Sequence, residues 1–453
     1  MSDTPPAPLS KSRVLAGHQC AKRLYLQLYA PDLGAAPGAT LRYRWEQGHE
    51  VGRLAQEAFP GGVALDAGRD RLEEALARTA VLARDASVSA IFEATFRHDG
   101  VLVRVDVLRR AAEDRWRLIE VKSTTSVKAY HLIDVAIQRH VVEGCGLALD
   151  GVAVMHLDRD YVYAGGPHDA HRLFTIRDLT AEARALDGDL PLLLADLRRM
   201  LAADAAPPIA PGPQCKKPWV CEFYDHCNVP RPQEFVVPGL PGARLGPGLV
   251  DALVPLSYPL YFMDFETLGP PIPRYAGMRP YQPIPFQWSV DVVRAPGAEP
   301  EHHEFLATDA ADPRREFLES LAGAVGTGGP IVVYSGYESA RLAELAAALP
   351  GLAPLAESIR ARLWDLLPVV RRHVSHPGFG GSFSLKRVLP ALAQALSYED
   401  MEVSDGSMAG AIWDRLIRQR PEPVEAARLE AALRAYCRQD TLGLLRLVRE
   451  LSR

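Results

Sequence analysis

Prolines and glycines crowd residues 230–255 so densely that the chain is expected to change character there. Pro230, Pro232, Pro238, Pro241 and Pro247 stand among Gly239, Gly242, Gly246 and Gly248. Proline fixes φ and lacks a backbone donor, and glycine loses the most freedom on ordering, so a stretch rich in both reads as a linker. It parts the 453 residues into 1–229 and 256–453. Each part is long enough to bury its own core.

Either side of the linker the pattern is α/β. In the first part, residues 12–29 (with Cys20) and 43–58 read as helices. Gly48 and Gly52, four apart, predict close approach of another backbone. Residues 90–96, 101–109 and 116–122 are β-rich. Val101, Val103, Val105 and Val107 alternate as a strand with two distinct faces would. A helical pattern over 128–143 and a strand at 152–157 follow. The order β-β-β-α-β describes a mixed sheet with a crossover helix. The second part repeats the α/β theme, with strands at 260–266, 285–293 and 331–334 and a closing helix at 425–451.

The totals exclude little. A net charge of -5 gives no global basic signature for nucleic acid. Carboxylate-rich metal sites lower net charge, however, and a basic stretch such as 104–117 acts locally. The N-terminus lacks the apolar segment of a secretory signal, and no run of about 18 apolar residues occurs. The expectation is a cytoplasmic chain with no membrane partner. Six cysteines in a chain of this kind do not read as a disulfide framework.

The residues that suggest chemistry come in two sets. Asp106 ends one strand pattern. Glu120 and Lys122 stand two apart on the next strand, so both share a face while Val121 points into the sheet. Residues 110–115 suffice for a hairpin turn. Two carboxylates to hold Mg²⁺ and a cation to steady a phosphate are what phosphodiester hydrolysis requires. An E-x-K pair alone is commonly solvated; Asp106 one hairpin earlier and Gln138 on the next helix turn the reading toward catalysis.

The residues Val105-Asp106, Glu120-Val121-Lys122 and Gln138 resemble the PD-(D/E)xK nuclease superfamily. The resemblance is to its RecB-like branch, which includes the iron–sulfur nucleases of CRISPR adaptation, and it covers roughly the first half of the chain. It implies a restriction-endonuclease-like mixed sheet and a glutamine that orients the attacking water or the lysine. It also implies auxiliary roles for Glu93 and, with less weight, His49. The tyrosine that the branch often carries four residues after the glutamine is Val142 here.

Cys215, Cys221 and Cys227 are evenly spaced in a short aromatic stretch. The C-x-x-C pairs of common zinc modules are absent. Together with the distant Cys20 they resemble the iron–sulfur staple of the same nucleases, in which four thiolates hold a 4Fe–4S cluster. Zinc on the same ligands is the alternative. Cys145 and Cys437 read as small buried hydrophobes.

In the second part, Asp264 and Glu266 again stand two apart on a strand, a natural bed for divalent cations. Tyr436 and Asp440, four apart, share a helix face. These ends resemble the DEDD exonucleases of the ribonuclease-H-like fold, tyrosine variety. The run 272–289, with Pro280-Tyr281-Gln282-Pro283 and Pro285-Phe286-Gln287, resembles a poorly characterised bacterial family that carries such a domain behind a RecB-like nuclease. The resemblance implies a metal site at Asp264, Glu266 and Asp440 and a water-orienting phenol at Tyr436. At the second motif Glu338 stands where the family normally has aspartate. Asp365 is a further acid, and residues 378–386 form a glycine-rich loop ending in Lys386.

The resulting expectation is a Mg²⁺- or Mn²⁺-dependent nuclease with two centres. It would act on single-stranded nucleic acid, DNA favoured over RNA. The alternatives are a non-catalytic or singly active nucleic-acid-binding adaptor, which Glu338 and Val142 favour, a 3′–5′ exoribonuclease, and an iron–sulfur redox sensor.

Overall fold

The computed structural model describes residues 9–65, 71–112, 114–228, 242–393 and 401–452. The chain divides into two compact units. The first is Met1–Arg231 with Pro271–Pro280, and the second is Pro232–Pro270 with Tyr281–Arg453. Both are α/β, each built on a mixed sheet.

In the first unit the elements follow as β1 (Leu9–Ser10), α1 (Lys11–Gln19), α2 (Ala21–Tyr29), α3 (Ala39–Gln56), β2 (Val63–Ala64) and α4 (Leu72–Arg84). Then come β3 (Ala90–His98), β4 (Val101–Ala112), β5 (Arg115–Lys122), α5 (Ala129–Gly144), β6 (Leu149–Leu157) and β7 (Phe174–Asp178). The sheet order is β2-β3-β4-β5-β6-β7, with β1 beside the start of β4. β3, β4 and β5 form an antiparallel meander, whereas β5 and β6 are parallel. The parallel pair needs a crossover, and α5 supplies it.

Neighbouring strand residues pack into opposite cores. Ile91, Leu108, Leu118 and Val152 join Val14, Leu24, Val135 and Val141 from α1, α2 and α5. Phe92, Val107, Ile119 and Ala153 join Val51 and Ala55 from α3. Helices therefore cover both faces, and a slip of one residue would turn each set to the wrong side.

One break in this alternation matters for the site. Val101, Val103 and Val105 lie in the first core but Val107 lies in the second, so the four valines do not share a face. On β3, Ile91 and Ala94 both lie in the first core, so the parity flips there too. The two flips face each other across the ladder, at Glu93 and Asp106. Glu93 has a φ of 60°, a left-handed conformation that strains a non-glycine residue. Asp106 thus stands in mid-strand, not at a strand end as its sequence pattern suggested.

Two other expectations change. The helix over 12–29 is two helices, because Cys20 is extended, with φ -163° and ψ 116°, between α1 and α2. Residues 230–241 of the linker, like Val229 before them, lie outside the described residues. Beyond them the chain is not coil: Arg244–Leu245 pairs with Val374–Ser375, and Leu249–Leu253 is helical.

The second unit has five strands in the order Glu301–Leu306, Ile284–Val293, Leu260–Leu268, Ile331–Val333 and Leu363–Asp365. The first two junctions are antiparallel and the last two parallel. Tyr261, Met263 and Phe265 pack against Phe317 and Leu321 of helix Arg314–Val325. Phe262 belongs to the opposite core, with Leu444, Leu447 and Val448 of the C-terminal helix, Pro423–Leu451. Period two then directs Asp264 and Glu266 to the C-terminal helix. Among the described residues no helix is long and apolar enough to cross a membrane.

Candidate functional site

In the first unit the ladder between β4 and β5 begins at Val107 opposite Ile119. Before that level the strands part. Asp106 Oδ2 takes over as acceptor, receiving the Val121 N–H at 2.7 Å. Glu120 and Lys122, on the face that carries Leu118, turn toward α5. Lys122 Nζ lies 2.6 Å from Glu120 Oε1 and 2.6 Å from Asp134 Oδ2. Gln138 Nε2 donates to Glu120 Oε2 at 2.6 Å and to Asp134 Oδ1 at 2.8 Å. Lys11, the first residue of α1, closes the ring at 2.7 Å from Glu120 Oε1 and 3.1 Å from Asp134 Oδ1.

Charge explains why this ring can be buried. Burial alone would favour the neutral amines of Lys11 and Lys122, yet Asp134 and Glu120 outweigh it and hold both pKa values above the usual lysine range. Burial also opposes the charged form of Asp134, but Lys11 and Lys122 pull its carboxyl below the usual range. For Asp106, burial, then the charge of Glu120, pushes the pKa well up, and Lys11 and Lys122 offset only part of it. Glu93 is likewise raised by burial, although Arg104 offsets part of the effect.

Asp106 and Glu93 open onto a cavity of about 270 Å³ that His49, Gly48, Gly52 and Arg53 of α3 also line. His49 is exposed there. The two glycines do not admit a neighbouring backbone as expected, for a Cβ at either would meet nothing within 4 Å. They keep the cavity wide instead. In the basic stretch 104–117, Arg109 and Arg115 are exposed and Arg110 and Arg117 are engaged. Arg110 donates to Val88 O and lies 4.1 Å from the Trp116 ring centre, and Arg117 pairs with Asp150 and Asp178.

In the second unit the ligand atoms of Asp264, Glu266 and Asp440 all lie within 4.8 Å of one another. Burial, then the charge of Asp440, raises the carboxyl pKa values of Asp264 and Glu266 well above their usual range. Glu338, in the first turn of helix Tyr337–Ala348, is buried, and its Oε2 has no partner among the described residues. Burial, then Asp365 and Asp440, pushes its pKa up to about 8. Asp365 itself caps helix Leu366–His373 by accepting from Leu367 N at 2.9 Å.

Tyr436 is buried one turn before Asp440, with Lys386 Nζ 5.0 Å from its ring centre. Lys386 sits in helix Leu385–Leu392, past the glycine-rich loop, and also contacts Ser404 O. Gly406 begins helix Gly406–Gln419, and a Cβ there would come 3.1 Å from Glu266 Oε2, so a side chain would press that carboxylate aside by a few tenths of an ångström. The Cys437 thiol is fully buried 3.7 Å from Asp264 Oδ2.

The C-terminal helix is fixed by a buried polar network. Thr441 Oγ1 donates to Asp291 Oδ2 at 2.7 Å and lies 3.0 Å from Ser289 Oγ. Gln287 Nε2 donates to Leu433 O at 2.9 Å. Thr441 therefore sets the position of its neighbour, Asp440.

Cys20, Cys215, Cys221 and Cys227 line one cavity, with Leu26 and Phe223. The clustered segment is tied to α1 and α2 by Gln19 Nε2 on Gln214 O at 2.7 Å and by Arg23 on Glu222 at 2.9 Å. Among the described residues the four thiols are not gathered into a metal-holding group as Asp264, Glu266 and Asp440 are. Cys437 is buried as expected, but Cys145 is exposed at the end of α5.

Sequence reasoning missed Lys11 and Asp134. Asp134 carried a signal, since it stands one turn before Gln138 on the same helix face. Lys11 carried none.

Residues 261–384 match a family described as a domain of unknown function (DUF2779). That span includes Asp264, Glu266 and Glu338 and stops short of Tyr436 and Asp440. No curated protein matches the chain. Among solved structures it is similar to one described as the crystal structure of SSO0001, with 12% identity over 44% of this chain and 81% of that chain, at a TM-score of 0.21. So slight a likeness transfers neither fold nor function.

Proposed function

We propose that the chain is a metal-dependent nuclease that hydrolyses phosphodiester bonds of single-stranded nucleic acid, DNA before RNA, at two centres. On this reading the first unit is a RecB-like PD-(D/E)xK nuclease, and the second a ribonuclease-H-like exonuclease of the DEDD type that trims 3′ ends. The observation that carries it is the convergence of Asp264, Glu266 and Asp440, three acids from distant parts of the second unit. Buried like charges are costly unless a cation joins them.

Mg²⁺ or Mn²⁺, when bound, polarises a phosphoryl oxygen and acidifies water. Asp264, Glu266 and Asp440 would hold it, with Glu338 adjoining and protonated until a cation enters. Tyr436 would orient the attacking water. Lys386, over the Tyr436 ring, would add positive charge beside the phosphate. In the first unit Asp106 and Glu120 would be the ligands, with Glu93 and His49 on the cavity wall. Lys122, fixed between Glu120 and Asp134, would present its ammonium to the phosphate, and Gln138 would hold Glu120 in register.

Cys20, Cys215, Cys221 and Cys227 would hold a 4Fe–4S cluster that fastens the ends of the first unit. Tetrahedral zinc, with Zn–S bonds of about 2.3 Å, would draw the sulfurs to roughly 3.8 Å. It is the alternative occupant of the same four thiolates.

The test is cleavage of 3′- and 5′-labelled single strands of DNA and RNA with Mg²⁺ or Mn²⁺, by wild type beside Glu120→Ala and Glu266→Ala. Loss divided between the two variants supports two centres. Undiminished cleavage by both variants would sink both assignments. A second reading, a strand-binding adaptor, is favoured by Glu120, both of whose oxygens are already taken by Lys11, Lys122 and Gln138. Binding without any turnover would favour it.

A further inference from the structure

Between Cys215 and Cys221 the chain reads Lys216-Lys217-Pro218-Trp219-Val220, and all five residues are exposed. Trp219 is 37% and Val220 72% accessible. A tryptophan left more than a third exposed among lysines keeps an aromatic surface open to a ligand. The Trp219 ring meets Tyr130 edge-on, with centroids 4.7 Å apart. Tyr130 lies in the first turn of α5, the helix that carries Asp134 and Gln138 to the first centre, and it feels the charges of Lys122 and Asp134. Gln19, the last residue of α1, donates to Trp219 O at 2.8 Å. The same helix begins with Lys11. Tyr130 is thus carried by one of the two helices that furnish the centre, and the backbone at Trp219 is tied to the other. Lys128, two residues before Tyr130, is exposed as well.

We propose that Tyr130 and Trp219, flanked by Lys128, Lys216 and Lys217, form a ledge that stacks the bases of a single nucleic-acid strand and leads it to the first centre. The inference rests on the nuclease reading above and adds the means of substrate selection. Aromatic faces among cations are how proteins hold single strands without reading sequence, because every base has a π face and every link a phosphate. A duplex keeps its base faces hidden and gains nothing from such rings. The lysines mark the occupant as polyanionic, which sets this surface apart from an apolar docking site for another protein.

The experiment uses the full chain in EDTA, so that binding is read without cleavage. Fluorescence anisotropy follows a labelled dT20, a labelled rU20 and a 20-base-pair duplex. Trp219→Ala is expected to weaken both single strands roughly ten- to a hundredfold and leave the duplex unchanged. Trp219→Phe, which keeps a ring, is expected to stay close to wild type. Replacing Lys216 and Lys217 together by alanine should flatten the dependence of log K on log salt by roughly 0.7 for each phosphate that a lysine no longer neutralises. Wild-type affinity in Trp219→Ala, or an equal loss on strand and duplex, overturns the ledge. If Trp219→Ala cuts strands with an unchanged KM, the ledge fails and the nuclease reading survives. If wild type neither binds nor cuts strands, both fall. Strand binding that ignores Trp219, with a protein captured through that residue, would make the surface a protein-docking site and overturn the proposal.

Discussion

In the first unit Glu120 and Asp134 lie beneath two ammonium groups, whereas in the second Asp264, Glu266 and Asp440 lie against one another with Lys386 nearby. Both arrangements bury carboxylates, and the difference lies in where the compensating charge originates. The first unit carries it in its own chain, as Lys11 and Lys122. In the second, burial and then the charge of Asp440 raise the pKa values of Asp264 and Glu266, a shift that a cation would reverse. A buried acid with an internal partner serves the fold from the start. On the proposed reading, a cluster of like-charged buried acids is one that a cation would complete.

This contrast can be broken most forcefully in the first unit. Lys122→Ala strands Glu120 and Asp134 with one ammonium between them. Removing one member of a buried pair costs about 3–5 kcal/mol, so a shift of that size is expected in urea denaturation of the first unit. A variant as stable as wild type would show the ring to be dispensable. Next in size is the response of the second unit to metal. At a hundred times its Kd, a divalent cation adds about 2.7 kcal/mol of stability. Calorimetry with Mn²⁺ should show that gain in wild type and not in Glu266→Ala.

A smaller effect concerns pH. The Glu338 carboxyl is raised from an ordinary 4.5 to about 8 in the folded protein. Its contribution to metal-free stability is complete below about pH 4.5. It declines as the unfolded chain gives up its proton and is gone once the pH has passed about 8. Glu338→Gln should flatten that decline, seen as a Tm that changes less between pH 5 and 8. An identical slope would remove Glu338 from the account. The smallest effect belongs to α3. Gly48→Ala fills open space in a helix and should add about 1 kcal/mol. Gly52→Leu should fold equally well yet narrow the 270 Å³ cavity and slow cleavage by the first centre alone.

What the sequence made legible were features carried by local periodicity. Glu120 and Lys122 share a face because strands repeat every two residues, and Tyr436 and Asp440 because helices turn every three to four. The β-β-β-α-β order followed from the same periods. The flip at Glu93 and Asp106 was hidden, because a local change of strand parity leaves the residue spacing untouched. Cys20 looked helical because the residues on each side of it are helical. Lys11 was invisible for a different reason: nothing near residue 11 hints at Glu120, 109 positions later. Gly48 and Gly52 misled, since lack of a side chain serves an open cavity as well as a tight contact.

The tie from Gln19 to Gln214 spans 195 positions, and the cavity it helps to frame also needs Cys227. Such long closures are slow to form and are rewarded only when the last strands and helices have docked. During synthesis the Lys11–Glu120–Asp134 ring can close long before the thiol cavity does. The four cysteines thus come together only once the chain has been made past Cys227.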